Sequence, residues 1–478
     1  MNRNPAPPGR ANVAPPAPQP DARLFARGSL ASVAILAGGT VLYAMNLYFT
    51  AALLPTIVTD IGGAHLFAWV ATGFLVAAVV ASMLVPRAIA WLGARGAYLL
   101  GFGAFALGSA AAAASGQMEL FVASRMLQGL GGGLLAGLGY AVIRTALPEA
   151  LWLKAAALVS AMWGVGALVG PSLGGIFAEL HAWRWAYALL AAVAILLGIL
   201  SVSALPGCSP SAGPVEPLPY LSLLALVLAA ASFSLAPLLG PSGFGGGSIA
   251  LGILLLVVFL VTEARARYTV LPRITFSRGN PLKWVYLLVA SLCAGVMVET
   301  YVPLFGQQLG GLSPVWAGFL GAGLSLGWTG SQAFSVRFGP RAVSAILNAA
   351  PLVLSGAMLA YGLLQREDAS GWRIAAWAAV LVLGGVAIGS AFPHLSVQAM
   401  AATTDAAEGA KAAAALSTTQ LIAYALVSAL LGVFAAGAGG DALGVAVRIP
   451  VGLAALTAAG LVPGIMLLLA SRRGGRAA

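Results

Sequence analysis

Gly166-Ala167-Leu168-Val169-Gly170-Pro171-Ser172-Leu173-Gly174-Gly175 is the stretch on which the reading of this chain turns. It lies inside a continuous apolar run, 155–180. A helix needs roughly 20 apolar residues to cross a bilayer, so the run is long enough to span. Gly166, Gly170 and Gly174 recur at four-residue spacing, which sets them on one helical face, and Pro171 bends the helix they belong to. Small residues in such register let membrane helices approach closely. The stretch therefore reads as a packing face inside a membrane.

The rest of the chain agrees. Of 478 residues, 60% are apolar and 8% charged, whereas a soluble domain carries about a quarter charged residues. Fourteen apolar runs of spanning length follow one another: 30–56, 66–86, 96–115, 119–144, 155–180, 184–205, 218–239, 247–263, 282–306, 314–336, 342–364, 374–399, 412–437 and 445–470. Lipid satisfies no free backbone group, so these are expected to be helices, and the runs are continuous rather than the alternating strands of a β-barrel. The expected fold class is an all-α integral membrane protein with 14 transmembrane helices.

The net charge of +11 invites a nucleic-acid reading, but its distribution argues against one. With the N-terminus inside, 19 of the 24 Lys and Arg fall in tails and loops on the cytoplasmic side, four at the outer side, and only Arg125 within a span. This is the positive-inside asymmetry. It implies that both termini are cytoplasmic and that the charge records topology. Cys208 and Cys293 lie on different segments with no metal spacing and no disulfide framework. No cofactor or metal is expected.

Residues 1–28, rich in Pro with scattered Arg, form an expected cytoplasmic tail. The two longest internal loops, 206–217 and 264–281, bracket two spans and divide the chain into six, two and six. The expected division is a tail over 1–28, an N-terminal six-helix bundle over 29–205, a linker over 206–281 with two extra transmembrane helices, a C-terminal six-helix bundle over 282–471, and a cytoplasmic tail over 472–478.

Further motifs surround the opening stretch. Arg125-Met126-Leu127-Gln128-Gly129 opens the fourth span, and Trp183-Arg184-Trp185-Ala186-Tyr187 opens the sixth. Leu54-Pro55-Thr56-Ile57 closes the first, and Ser313-Pro314 with Ala317-Gly318 opens the tenth. On these residues the chain resembles the major facilitator superfamily, specifically its fourteen-span drug–proton antiporter branch. The match covers nearly everything after residue 28. It pairs the family's Arg-x-x-Gln-Gly motif with its Gly-x-x-x-Gly-Pro-x-x-Gly-Gly antiporter motif. The resemblance implies two six-helix bundles with inverted three-helix repeats and a substrate path between them near the midplane. It also implies export of hydrophobic or amphipathic small molecules by alternating access, coupled to protons. The conformational motif is then Gly166, Gly170, Pro171, Gly174 and Gly175. Gly129–Gly137 imitates a dinucleotide loop, but it lies inside a span and lacks the strand that such a loop follows.

The departures bear on coupling. Where the branch keeps an Asp in the first span, nine residues before the Pro, this chain has Asn46. The loop from Pro86 to Gly93 keeps the final Gly of its motif but has Ala90 in place of the acid, and Arg95 remains. Glu299 is the one carboxylate well inside a span, and Arg125 lies at similar depth, so a pairing of the two is geometrically open. Each has a plainer reading at the outer rim, near water. Glu299 and Arg125 are the proton-coupling candidates. Asn46, Gln128, Trp163, Tyr301 and Gln332 are the substrate-cavity candidates. For His394 a hydrogen-bonded structural role is the simpler reading.

The spans hold no paired carboxylates, metal cluster or nucleophile–His pair, so an intramembrane enzyme is not expected. The expected partners are a small-molecule substrate, protons and the lipid bilayer, in a monomeric protein of the cell (inner or plasma) membrane. A solute uptake symporter or facilitator of the same fold is the alternative, against which the 166–175 motif argues.

Overall fold

A computed structural model of the chain describes residues 30–143, 152–205, 207, 217–240, 243–277, 279–335, 337–400, 402, 406–437 and 441–474. The expected tail over 1–28 and Cys208 lie outside them, as do most of the 206–217 loop and the side chains of Arg472, Arg473 and Arg476 in the C-terminal tail. Among the described residues every regular element is helical.

The first five helices are α1 (Leu30–Ile61), α2 (Phe67–Ala113), α3 (Met118–Ala141), α4 (Trp152–Glu179) and α5 (Trp183–Ala204). A pair follows, α6 (Tyr220–Leu235) and α7 (Gly243–Arg265). Then come α8 (Leu282–Val296), α9 (Val302–Gln308), α10 (Pro314–Gly321), α11 (Gly323–Ser335), α12 (Pro340–Leu363), α13 (Gly371–Met400), α14 (Ala406–Ala436), α15 (Ala442–Ala458) and α16 (Leu461–Gly474). Nine helical stretches among the described residues are long and apolar enough to cross a membrane. Large apolar side chains crowd the exterior, including Leu107, Leu196, Ile199, Leu254 and Leu363, as on a surface that meets lipid.

Several apolar runs differ in detail from their expected form. The second and third join in one helix, α2, broken only at Gly93 (φ 68°, ψ 178°), a left-handed value that glycine adopts without a Cβ clash. The ninth run is interrupted by a 3₁₀ turn, Met297–Thr300. Pro303 explains this interruption: it has no N–H for the carbonyl four residues back, that of Glu299, and its ring crowds that position. The tenth run breaks at Ala322 between Gly321 and Gly323, and the last run divides between α15 and α16.

Packing places two apolar cores side by side. One gathers buried residues between Val33 and Leu205. The other draws mainly on residues from Leu282 to Leu467, with Tyr43, Tyr48, Phe74 and Ala78 reaching into it. Below, N-half means α1–α5 and C-half means α8–α16. The halves meet where α4 lies along α10 and α11 and where α2 lies along α14. The α6–α7 pair joins the molecule chiefly through α6, which packs on α14 and α2.

Candidate functional site

Glu299 sits at the interface of the halves, 4% exposed. Two helix breaks build its surroundings. Its own helix stops at the 3₁₀ turn, and the helix opposite restarts at Gly323. The first N–H groups of a helix lack intrahelical partners and carry partial positive charge. Ser325, in that first turn, donates its backbone N–H to Glu299 Oε1 at 2.9 Å and its hydroxyl to Oε2 at 3.1 Å. Tyr48 of α1 and Tyr424 of α14 line the same small space as Glu299. Gln420 Nε2 donates to the Tyr424 hydroxyl at 2.7 Å. A carboxylate contributed by the C-half therefore faces a tyrosine contributed by the N-half.

Arg125 lies elsewhere, deep in the N-half and 1% exposed. Its Nη1 donates to Asn46 Oδ1 at 3.1 Å and to Gln128 Oε1. Gln128 Nε2 passes the chain on to Ser109 Oγ at 2.7 Å. The guanidinium also stands 4.3 Å over the Phe74 ring, a cation–π contact of about 0.5–2 kcal/mol. A central charge in a membrane helix costs roughly 2.5–3.5 kcal/mol on insertion scales, and these neutral acceptors offset part of that cost. The pairing of Arg125 with Glu299 that depth alone left open is not formed: the two side chains serve separate hydrogen-bond clusters.

The glycines following Arg125 explain how α3 reaches this depth. A Cβ on Gly129 would lie 2.2 Å from the Phe74 carbonyl oxygen, and one on Gly131 would lie 2.3 Å from the Phe105 nitrogen. Helix α3 is thus wedged against both limbs of α2. The conformational motif in α4 works similarly. A Cβ on Gly166 would meet Met45 N at 2.6 Å, on Gly170 Met45 O at 2.6 Å, and on Gly174 Phe49 O at 2.7 Å, all on the backbone of α1. Gly175 faces the other half, where a Cβ would meet Val315 Cα at 2.6 Å. Gly318 of α10 stands equally close to the Pro171 carbonyl. Glu179 Oε1 accepts from Val315 N at 3.3 Å. Here α4 and α10 meet backbone to backbone.

Two cavities lie on opposite sides of Glu299. One, of about 290 Å³, is lined from the N-half by Tyr48, Trp163 and Ala167 and from the C-half by Ser325, Trp328, Gln332, Gln420 and Tyr424. Its lining reaches toward the end where α4 starts and α11 and α13 finish. The other, of about 790 Å³, is lined by Thr56, Phe67, Glu179, His181, Tyr301, Gln307 and Gln308. Of the expected cavity residues, Trp163 and Gln332 share the first and Tyr301 lines the second, packed 4.9 Å from Phe67. Asn46 and Gln128 line neither; both are drawn into the Arg125 cluster, whose guanidinium needs acceptors more than a wet cavity does. His394 Nε2 donates to the Ser335 carbonyl at 3.1 Å, as a structural histidine does.

Several residues of these sites carry no sequence signal. Ser325, Tyr48, Tyr424 and Ser109 sit in apolar runs where Ser and Tyr are common. Arg95 clasps the Leu205 carbonyl at the end of α5 through Nε at 3.1 Å and Nη2 at 2.9 Å, a cation at a helix C-terminus. At the opposite end of the N-half, Asp60 accepts from Arg184 at 2.5 Å and Trp183 at 3.0 Å.

Comparison with known proteins gives a consistent result. The family model described as Major Facilitator Superfamily matches residues 36–428. A "Probable multidrug-efflux transporter" of Mycobacterium tuberculosis (strain ATCC 25618 / H37Rv) is 43% identical over 90% of this chain and 92% of its own length. The "Multidrug efflux pump SdrM" of Staphylococcus aureus (strain N315) is 25% identical over 58% of this chain and 62% of its own. Among solved structures, a POT family transporter superposes with a TM-score of 0.66 at 14% identity, covering 92% of this chain and 96% of that one. A D-xylose-proton symporter gives 0.61 at 15% identity over 90% and 97%. At such identities the likeness concerns the fold.

Proposed function

This chain belongs to the major facilitator superfamily and is a multi-pass membrane transporter, not an enzyme; on that premise we propose that it exports hydrophobic or amphipathic, drug-like molecules from the cell in exchange for protons. The relatives named as multidrug-efflux proteins support the substrate class. The proposed architecture is fourteen spans with both termini cytoplasmic in the plasma membrane: six-helix bundles over 29–205 and 282–471, joined by the linker 206–281 with its two extra helices. The charge asymmetry of the sequence supports this arrangement.

The observation that carries the coupling proposal is the position of Glu299. It is a buried carboxylate at the seam of the halves, hydrogen-bonded to Ser325, which itself lines the cavity shared by Trp163 and Gln332. A transported molecule entering that cavity and a proton arriving at Glu299 compete for the same neighbours, Tyr48 and Ser325. An exchanger needs such mutual exclusion, since a ligand shifts a conformational equilibrium only through its differential affinity for the two states. The α4 glycines supply a close contact between the halves at one end: Gly175 and Gly318 lie against the opposite half's backbone, beside the cavity lined by Thr56 and Tyr301. With the charge-rich loops inside, that contact is on the outer side and the cavity lined by Trp163 is on the cytoplasmic side. Arg125 serves the N-half's rigidity in this account rather than carrying the proton. Flux measured in proteoliposomes with and without an imposed pH gradient, across cationic and neutral compounds, tests the proposal. Gradient-driven accumulation supports it, and transport indifferent to the gradient contradicts it.

A further inference from the structure

The Arg125 cluster is short of acceptors. It carries a full positive charge, and among the described residues its hydrogen-bond partners are the neutral amides of Asn46 and Gln128. Three buried donors around it find no acceptor at all: Arg125 Nε, Asn46 Nδ2 and the Tyr43 hydroxyl. Arg125 and Asn46 are joined by their hydrogen bond, and Tyr43 and Arg125 pack on the same ring, that of Phe74. Tyr43 stands one turn before Asn46 on α1. Its ring stacks on Phe74 at 5.5 Å, and Phe74 carries the guanidinium on its ring at 4.3 Å. The one hydroxyl that receives the Gln128 amide, Ser109, spends its own hydrogen on the Phe105 carbonyl at 2.7 Å. A buried charge without a counter-charge and buried donors without acceptors are each unfavourable. A single small anion answers both.

We propose that the cluster of Arg125, Asn46 and Tyr43 binds a small monovalent anion of halide size, chloride in the cell, as a resident counter-ion of the N-half. The surroundings favour an ion over the carboxylate of a transported molecule, because Arg125, Asn46 and Tyr43 line neither of the two large cavities. The donors also suit a halide: two N–H groups and one O–H, with no competing carboxylate oxygen. Asn46 is the residue that makes the site. Its amide leaves the charge of Arg125 uncompensated, whereas an aspartate of the same shape would neutralise it from within and repel an anion. The site is independent of Glu299 and of proton coupling, so it stands or falls separately from the export proposal.

The test is the unfolding temperature of the purified full-length protein in nanodiscs of zwitterionic lipid, titrated with chloride in exchange for gluconate at constant ionic strength. Binding to the folded state raises that temperature in a saturable way. The expected result is such a rise for the wild type with chloride and with bromide, its loss in Asn46→Asp, and a shift of the midpoint to higher chloride in Tyr43→Phe. A parallel titration with acetate distinguishes an organic carboxylate as the ligand. A flat chloride titration of the wild type overturns the proposal, as does stabilisation by acetate without chloride. A chloride response that survives unchanged in Asn46→Asp also overturns it. If Asn46→Asp does not fold, Tyr43→Phe decides alone, and an unmoved midpoint in that variant is contrary.

Discussion

The carboxylate of Glu299 caps the start of the helix opposite: Ser325 gives it a backbone N–H 2.9 Å from Oε1 and a hydroxyl 3.1 Å from Oε2. Neither group would be free in unbroken helices. Pro303 ends the α-helix around Glu299, and the Gly321–Gly323 break frees the first-turn N–H groups of α11. A membrane carboxylate thus meets a helix N-terminus, an arrangement that transporter folds use for ions and anionic groups.

The two polar clusters should respond differently to truncation. Trp163→Ala and Gln332→Ala remove walls of the cavity below Ser325 and should weaken substrate binding by about 1–3 kcal/mol, seen as a raised KM with normal expression. Gln128→Ala removes an acceptor from a buried guanidinium and should instead lower stability by about 1–3 kcal/mol. Thermal unfolding and KM, measured for both sets, separate the roles. A raised KM without loss of stability in Gln128→Ala would return it to the substrate path.

Gly170→Leu should abolish transport while the protein still inserts. The added Cβ alone meets the Met45 carbonyl at 2.6 Å, so α4 must move off α1, and overpacking of this kind costs typically about 1–3 kcal/mol. Gly175→Leu should act on the contact between the halves, because its neighbour is Val315 of α10. Accessibility of a cysteine at Thr56 to an impermeant reagent should rise in Gly175→Leu and stay unchanged in Gly170→Leu. Full flux in Gly170→Leu would mean that this face tolerates separation.

Much of this was legible in the sequence, for identifiable reasons. Apolar runs set helix positions because lipid allows little else, and the four-residue glycine spacing in α4 announced a close contact. Arg125 and Glu299 stood out because charge inside a span is rare. Their partners did not stand out. Depth along a helix says nothing about direction around it, so Arg125 and Glu299 shared a level yet point into different clusters. Asn46 and Gln128 looked like polar groups for a cavity, but three-dimensional proximity to a buried guanidinium claimed both. The Glu299–Pro303 spacing was a readable sign of the helix break. The role of Ser325 was not, since it arises from a second break on another helix.

Fourteen spans with internal termini predict the labelling of single cysteines placed in a background lacking Cys208 and Cys293. A cysteine at Ala212, in the loop after the sixth span, should react with an impermeant maleimide only after the membrane is permeabilised. One at Phe244, exposed at the start of α7, should react from outside. Reaction at 212 in intact cells would invert the topology.

Glu299→Gln tests the central claim most directly. The amide keeps the size of the side chain and can accept from Ser325, but it cannot exchange a proton. Transport is measured in proteoliposomes with an imposed pH gradient, beside equilibrium binding of the same compound to the purified variant. The account predicts that gradient-driven accumulation disappears while binding remains measurable. Full gradient-driven transport by Glu299→Gln would contradict it and leave Glu299 a structural cap on α11.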